Sequence, residues 1–324
     1  MSKVALVTGT LGQDAPYLAK LLLDKGYKVY GLIRRYSNPN YSNLDFLGIT
    51  KSINLIEGDL SDESSLYNII KTIKPDEIYN LAAMSFVRAS FDQPKLTTEI
   101  NSLGVLYLLN AIKTFSPTTK IYQASTSEMF GSSNDGGYQD ENTIFHPRSP
   151  YGVSKLYAYW MCVNYREAYG IFASNGILFN HESPIRGINF ITRKVSDGVA
   201  RIKLGLADSI SLGNLDSKRD WGFAGDYVEA MYLMLQQDKA DDYVVATGES
   251  HSGREMVQYA FECIGITDWE KYVKIDPANM RPSEVPFLLG RADKAKKQLG
   301  WTAKTSFKDL IKMMVDADLK RLQK

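Results

Sequence analysis

The chain has 324 residues, of which 44% are hydrophobic and 23% charged, and its formal net charge is +1. This composition is typical of a globular protein with a sizeable core, and the balance of charges argues against binding of nucleic acid through a strongly basic surface. Two cysteines and three histidines, all far apart, exclude a disulfide framework and predict no metal site. Because there is neither an apolar run of membrane-spanning length nor a signal peptide, we expect a cytoplasmic protein without a membrane or nucleic-acid partner.

The first half of the chain alternates predicted strands with predicted helices. Apolar runs predict strands at 4–8, 27–33, 53–57, 77–83, 121–125 and 172–179, and helical spacing predicts helices at 14–25, 95–114, 151–169 and 309–324. Near-continuous apolar strands between helices indicate an α/β fold with a doubly wound parallel sheet, the Rossmann arrangement. The looser second half predicts a smaller mixed α/β lobe. We expect the sheet domain at 1–179, with 215–245 returning to it, and the substrate lobe at 180–214 and 246–324.

The turn after the first strand has the spacing of a phosphate-binding loop. Small residues recur at every third position, at Gly9, Gly12 and Ala15, where the chain enters a helix. The first glycine permits a tight turn, the second lets the backbone approach a pyrophosphate, and alanine allows close packing of helix on strand. The helix N-terminus favours the negative charge of the ligand. The loop therefore predicts a dinucleotide site that includes Gly9, Leu11, Gly12, Gln13 and Asp14.

Residues after the next strands predict which cofactor binds. Arg34 and Arg35 follow the second strand, where a carboxylate suits the ribose 2′-hydroxyl of NAD and a cation suits the 2′-phosphate of NADP. The predicted cofactor is therefore NADP; the alternative is a solvated arginine pair at a strand end. Further cofactor contacts are predicted from Asp59, Leu60, Leu81, Ala82, Ala83 and Ser85.

A tyrosine, a lysine and a carboxylate form the predicted catalytic group. Tyr151 and Lys155 share one helix face because they are four residues apart, and an ammonium near a tyrosine lowers the pKa of its hydroxyl. Thr126 and Glu128 follow the fifth strand, whose carboxyl end faces the ligand crevice. Tyrosine, lysine and a hydroxyl suffice for oxidation and reduction, whereas a carboxylate adds proton abstraction beside a new carbonyl and acid assistance to a departing hydroxyl. The alternative for Glu128 is a helix-start carboxylate bound by backbone amides.

Nearly from end to end, the chain resembles the GDP-mannose 4,6-dehydratase family of the extended short-chain dehydrogenase/reductase superfamily. The resemblance is carried by the cofactor loop and by segments 78–81, 122–128, 147–152, 155–160, 178–184, 211–216, 218–222 and 281–285. It implies that Tyr151 takes the C4-hydroxyl proton of a GDP-sugar while hydride passes to NADP. Glu128 then removes the C5 proton and helps the C6 hydroxyl leave as water. The hydride then returns to C6, and a proton returns to C5. It also implies a homotetramer or homodimer in which residues 35–42 approach a neighbour's cofactor.

The resemblance assigns site residues at matching positions. The catalytic residues are Thr126, Glu128 and Tyr151, supported by Lys155, and His181 and Arg186 contact the nicotinamide end of the cofactor. Cations pair with the diphosphate and a glutamate accepts hydrogen bonds from ribose hydroxyls. For each cation the alternative is an exposed surface charge. The implied substrate-binding residues are Ser85, Thr126, Glu128, Asn180, Asn189, Lys194, Arg219, Arg281 and Glu284.

Departures from the family pattern bear on which sugar is bound. They occur at Ala15, Met84, Phe223, Pro286 and Arg291, and several of these side chains are expected to line the crevice. GDP-D-glycero-D-manno-heptose is therefore an alternative substrate to GDP-mannose. Two other functions are alternatives: a GDP-4-keto-6-deoxy-sugar reductase or epimerase of the same superfamily, which would not need Glu128, and a non-enzymatic nucleotide sensor.

Overall fold

A computed structural model of the chain describes residues 2–131, 137–280 and 282–323. Its strands are β1 Val4–Thr8, β2 Lys28–Ile33, β3 Asn54–Glu57, β4 Glu77–Asn80, β5 Lys120–Thr126, β6 Ala173–Leu178, β7 Asn180–Glu182, β8 Ile210–Leu212, β9 Lys218–Arg219, β10 Trp221–Phe223, β11 Asp242–Val245, β12 His251–Ser252 and β13 Val273–Ile275. Its α-helices are α1 Asp14–Asp24, α2 Ser42–Phe46, α3 Glu63–Ile73, α4 Val87–Asp92, α5 Pro94–Thr98, α6 Gly104–Phe115, α7 Pro150–Tyr169, α8 Ile191–Lys203, α9 Ala224–Leu235, α10 Gly253–Glu262 and α11 Phe307–Leu322.

A parallel sheet organises the first half of the molecule. Among the described residues it has seven strands in the order β11-β6-β5-β4-β1-β2-β3, and every neighbouring pair is parallel. The strand order reverses between β1 and β4, which is the point where open α/β sheets bind ligands. The predicted doubly wound α/β fold is confirmed.

Both faces of the sheet are buried because successive side chains of a strand point to opposite faces. In β1, Ala5 and Val7 join one core cluster with side chains of α1 and α9, whereas Leu6 joins a second cluster with side chains of α3, α6 and α7. All three β1 residues have no exposed surface. A polar substitution at any of them would bury an unpaired group on whichever face it points to.

Two predicted elements differ from the structure for identifiable reasons. The strand predicted at 77–83 ends at Asn80, because the next two backbone amides, of Leu81 and Ala82, donate to the Thr8 hydroxyl instead of to a strand. The helix predicted at 95–114 is divided into α5 and α6 by a π-helical turn, Glu99–Leu103. Within that turn, Asn101 pairs with the backbone of Met84, so the irregularity joins the helix to the loop after β4.

A separate core forms in the C-terminal half. Side chains of α8, α10 and α11 pack together with those of β8 and Trp221, and they include Val199, Phe261, Phe307 and Met314. Within 215–245, β11 pairs with β6, and α9 packs against α1. The domain boundaries stay a prediction. In the described ranges, no helix combines the length and the apolar character needed to cross a membrane.

Candidate active site

A cleft of about 900 Å³ opens at the carboxyl ends of the central strands and extends to the C-terminal lobe. Arg35 does not line it, and Arg281 lies outside the described residues. The predicted site residues that do line the cleft are Gly9, Leu11, Gly12, Gln13, Asp14, Arg34, Asp59, Leu60, Leu81, Ala82, Ala83, Ser85, Thr126, Glu128, Tyr151, Lys155, Asn180, His181, Arg186, Asn189, Lys194, Arg219 and Glu284.

The loop after β1 has a shape that fits a dinucleotide phosphate. Gly9 has φ +70°, and a Cβ atom there would lie 2.9 Å from the Ala82 backbone. The Gly12 backbone amide donates to the Gly9 carbonyl at 2.8 Å, which closes the turn directly before α1. Two further hydrogen bonds were not predicted from the sequence. The Asn43 side-chain amide donates to the carbonyls of Leu11, at 3.1 Å, and Gly12, at 2.9 Å. The loop thus brings backbone close to the helix N-terminus, as pyrophosphate binding requires.

Gly9→Ala is expected to lower the free energy of unfolding by about 2 kcal/mol or more and to weaken cofactor binding at least tenfold. Alanine there must adopt left-handed backbone and also meet the Ala82 backbone. Gly26→Ala is the matched control: its φ is +82°, but nothing lies within 4 Å of the added carbon. Its expected cost is about 1 kcal/mol, with unchanged cofactor affinity. Urea unfolding and a cofactor titration measure both quantities; equal effects of the two variants would contradict the assignment.

The two arginines after β2 lie in different surroundings. Arg34 lines the cleft. Its guanidinium contacts the Tyr36 hydroxyl and lies 5.2 Å from the centre of the Tyr36 ring. The Arg35 side chain is 84% exposed and pairs with Glu57 at 3.5 Å. Only Arg34 of the pair therefore reaches the cleft.

His181 and Asp14 form a half-buried ion pair beside the loop after β1. His181 Nε2 lies 2.8 Å from Asp14 Oδ2, and Nδ1 lies 2.8 Å from the Phe179 carbonyl oxygen. Both ring nitrogens therefore face oxygen atoms, an arrangement that favours the doubly protonated imidazolium. Burial acts to lower the pKa of His181, but the Asp14 charge and hydrogen bond outweigh it, and the pKa is raised. Burial likewise acts to raise the pKa of Asp14, and His181 lowers it overall.

The predicted catalytic group converges in the middle of the cleft. Tyr151 lies in the first turn of α7, which begins after the N-cap Ser149, whose hydroxyl accepts from Gly152 N at 3.0 Å. Thr126 ends β5, and Glu128 is buried in the turn that follows. The Glu128 backbone amide donates to the Thr126 hydroxyl at 3.3 Å, so these two residues are held in one short turn.

The ionisation of the tyrosine differs from the prediction. Burial raises the pKa of Tyr151 to about 12, although a hydrogen bond with Thr126 lowers it in part. Lys155 Nζ lies 6.0 Å from the centre of the Tyr151 ring and donates to the Ala124 carbonyl at 2.8 Å. Burial also lowers the pKa of Lys155, to about 8. Arg186 is the cation that acts to lower the pKa of Tyr151, and desolvation outweighs it, so the predicted lowering by the Lys155 ammonium is not found.

Charged and amide side chains line the end of the cleft that faces the C-terminal lobe. Lys194 Nζ donates to Asn279 Oδ1 at 3.0 Å. Arg219 Nη2 lies 2.9 Å from Glu284 Oε1, and only 7% of the arginine side chain is exposed. Nearer the catalytic group, the Arg186 guanidinium lies 3.5 Å from the Phe190 ring centre and forms a 3.0 Å ion pair with Glu182. Such pre-ordered cations suit a diphosphate ligand.

The structure corrects the expectation about the family departures. Met84 lines the cleft, but Ala15, Phe223, Pro286 and Arg291 do not. Arg291 instead lies 4.7 Å from the Tyr138 ring centre, outside the cleft. Among the described residues, no group of three or more His, Cys, Asp or Glu side chains is arranged to hold a metal ion.

This sheet, the glycine-containing loop after β1 and the Tyr151–Lys155 pair define an extended short-chain dehydrogenase/reductase. The model of the family GDP-mannose 4,6 dehydratase matches residues 6–314. The chain is similar to GDP-mannose 4,6 dehydratase 1 of Arabidopsis thaliana, with 53% identity over 327 residues covering 98% of this chain and 90% of that protein. It is also similar to the human GDP-mannose 4,6 dehydratase, with 49% identity over 344 residues covering 99% and 92%.

A solved structure supports the same class. The UDP-glucose 4-epimerase of Thermus thermophilus, in complex with NAD, matches with 26% identity and a TM-score of 0.85, covering 97% of this chain and 98% of that chain. Because the family model and both relatives match nearly the whole chain, the chain belongs to the GDP-mannose 4,6 dehydratase family, which confirms the resemblance found in the sequence.

Proposed function

We propose that this chain is a GDP-sugar 4,6-dehydratase that converts GDP-mannose to the 4-keto-6-deoxy GDP-sugar and water. The observation that carries the proposal is the buried Glu128 carboxylate in the same cleft as Thr126, Tyr151 and Lys155. Oxidation and reduction alone require no carboxylate, whereas water loss requires a base at C5 and an acid at O6.

The chain's own side chains supply the proton transfers. Tyr151 receives the proton of the C4 hydroxyl, whose oxygen Thr126 holds by a hydrogen bond. Glu128 takes the C5 proton, which the neighbouring carbonyl makes acidic, and then protonates the departing C6 oxygen. A bound nicotinamide cofactor supplies the hydride acceptor and donor. Because the pKa of Tyr151 is about 12 in the chain by itself, positive charge near the tyrosine favours the first transfer. Arg186 acts to lower this pKa, and Lys155 Nζ lies 6.0 Å from the centre of the ring.

The nucleotide end is assigned to the other half of the cleft. Arg219 and Lys194 would pair with the diphosphate, together with Arg281, which lies outside the described residues, while Glu284 would accept hydrogen bonds from the ribose. Asn180, on β7, and Asn189, before α8, would contact the remainder of the GDP moiety.

NADP is the proposed cofactor, with Arg34 as the residue that selects it. Gly9 and Gly12 would hold the pyrophosphate, and Asp59 and Leu60 would contact the adenine ring. The Arg34 guanidinium, at the cleft edge beyond β2, suits the 2′-phosphate. His181 and Arg186 remain assigned to the nicotinamide end.

Arg34→Ala is expected to reduce the preference for NADP over NAD by about 10–100-fold, because a charge-assisted contact with the 2′-phosphate is worth about 1.5–3 kcal/mol. Affinities for both dinucleotides, measured by calorimetry, give the ratio directly. Arg35→Ala is the matched control, since that side chain lies outside the cleft, and its ratio is expected to stay within twofold of the unmodified protein. A larger effect of Arg35→Ala than of Arg34→Ala would overturn the assignment.

The substrate is tested by parallel reactions with GDP-mannose and GDP-D-glycero-D-manno-heptose, each deuterated at C4, with a catalytic amount of NADP. Mass spectrometry should show loss of one water from GDP-mannose, with the deuterium retained in the new methyl group. Water loss from the heptose alone would change the assigned sugar but not the reaction. A requirement for stoichiometric reduced cofactor without water loss would indicate a reductase instead. A homodimer or homotetramer and a cytoplasmic location stay predictions.

A further inference from the structure

A buried chain of hydrogen bonds joins the catalytic lysine to the start of the cofactor loop. Lys155 Nζ donates to the Ala124 carbonyl oxygen at 2.8 Å, and Gln123 Nε2 donates to the same oxygen at 2.9 Å. Asn80 Nδ2 donates to Gln123 Oε1 at 2.7 Å, and Thr8 Oγ1 donates to Asn80 Oδ1 at 2.7 Å. This chain of hydrogen bonds therefore crosses three neighbouring strands, from β5 through β4 to β1.

The direction of every bond in this chain is determined by its ends. The Thr8 hydroxyl accepts from the backbone amides of Leu81 and Ala82, each at 3.0 Å, so its single proton is available for Asn80. At the other end, the ammonium can only donate, so the Ala124 carbonyl must accept. Thr8, Asn80, Gln123 and Lys155 are each at most 3% exposed, so water cannot replace a missing partner without a rearrangement.

We propose that Gln123 is a positioning residue for Lys155. It fixes the position of the Ala124 carbonyl, which accepts from the ammonium, relative to the cofactor loop. Thr8 directly precedes Gly9, whose backbone is packed against Ala82. The Thr8 end of the hydrogen-bond chain therefore sets the position of the phosphate-binding turn. The other end sets the position of Lys155. The carboxamide of Gln123 is the link between them, because it is the group that both accepts from Asn80 and donates to Ala124.

The chemistry of a carboxamide is required at this position. A methionine would neither accept from Asn80 nor donate to Ala124, and a carboxylate would accept from Asn80 but repel the Ala124 oxygen. A carboxylate would also add a negative charge to the surroundings of Lys155. The groups that already act on this ammonium are Asp14 and Cys162, and the Tyr151 ring faces it.

The first experiment titrates Lys155 in the cofactor-free chain, which makes it independent of the proposed function. Lysine labelled with ¹³C at Cε is followed by NMR, and the Lys155 resonance is assigned with a Lys155→Arg variant. The pKa of Lys155, about 8 with burial as the main cause, is expected to rise by about one unit in Gln123→Glu. An unchanged midpoint would show that position 123 does not act on the ammonium and would overturn the proposal.

The second experiment is kinetic and rests on the proposed function, so turnover of GDP-mannose by the unmodified chain is established first. Gln123→Met is expected to reduce kcat by about tenfold with KM for the GDP-sugar within twofold, since the nucleotide contacts lie elsewhere. The matched control is Thr119→Val, which removes the buried 2.5 Å hydrogen bond to the Pro75 carbonyl near the other end of β5. It should leave kcat unchanged. A kcat for Gln123→Met equal to that of Thr119→Val would overturn the proposal, and if Gln123→Met does not fold, the Gln123→Glu titration decides.

Discussion

Glu128→Gln is expected to reduce the rate of water loss by about three orders of magnitude while leaving the first oxidation intact. Glu128 is buried and lines the cleft with Thr126, and glutamine preserves its shape but can neither take the C5 proton nor protonate the C6 oxygen. In a single-turnover mixture with GDP-mannose and NADP, the absorbance of reduced nicotinamide should therefore appear and persist. Mass spectrometry of the same mixture should detect the 4-keto sugar with its C6 hydroxyl retained.

A second glutamate provides the control for this substitution. Glu141 is partly buried and accepts from the Val244 backbone amide at 2.8 Å, but it does not line the cleft. Glu141→Gln makes the same chemical change and is expected to keep kcat within twofold. Normal water loss by Glu128→Gln would assign the acid–base role to another group.

Tyr151→Phe is expected to block the reaction one step earlier, lowering kcat by about 10³-fold or more. Phenylalanine fills the same buried space in the first turn of α7 but cannot receive the C4-hydroxyl proton. No reduced nicotinamide should appear in a single turnover, and no solvent deuterium should enter C5, because the carbonyl that acidifies this position never forms. The reaction is thus expected to stop before oxidation at C4 in Tyr151→Phe and after it in Glu128→Gln.

The same helix contains a matched tyrosine. The Tyr159 hydroxyl donates to Asp242 Oδ2 at 3.1 Å, and the residue does not line the cleft. Tyr159→Phe is expected to lower the free energy of unfolding by about 1.5–3 kcal/mol, through the loss of a buried hydrogen bond to a carboxylate, with kcat unchanged. Accumulation of reduced cofactor in Tyr151→Phe would contradict the role assigned to its hydroxyl.

These expectations separate the dehydratase from other enzymes that share its fold. An epimerase or reductase of this class also depends on the tyrosine and lysine, so loss of activity in Tyr151→Phe does not distinguish them. The response of Glu128→Gln does, because only water loss requires the carboxylate. Gln123 adds a different dependence, in which the position of the lysine is tied to that of the cofactor loop.

Several features could be predicted from the sequence because they are local. The alternation of apolar strands and helices needs only the side-chain periods of the two structures. The glycines at 9 and 12 lie in one turn, and Tyr151 and Lys155 lie one helical turn apart. The end of the strand predicted at 77–83 was wrong because it depends on a contact that is not local. The backbone amides of Leu81 and Ala82 donate to Thr8, which is more than seventy positions away in the chain.

The sequence by itself determined the doubly wound sheet, through local periodicity, and its contiguous motifs carried the resemblance to the family. The predicted site residues all line the cleft except Arg35 and Arg281, which lies outside the described residues. Only the tertiary structure decided that Arg34 rather than Arg35 reaches the cleft, that Asn43 binds the phosphate loop, and that Met84 alone of the five departures lines the site. It also decided that burial, rather than Lys155, dominates the pKa of Tyr151. Exposure, desolvation and hydrogen bonds between distant segments depend on which surfaces pack together, and no short stretch of sequence contains that information.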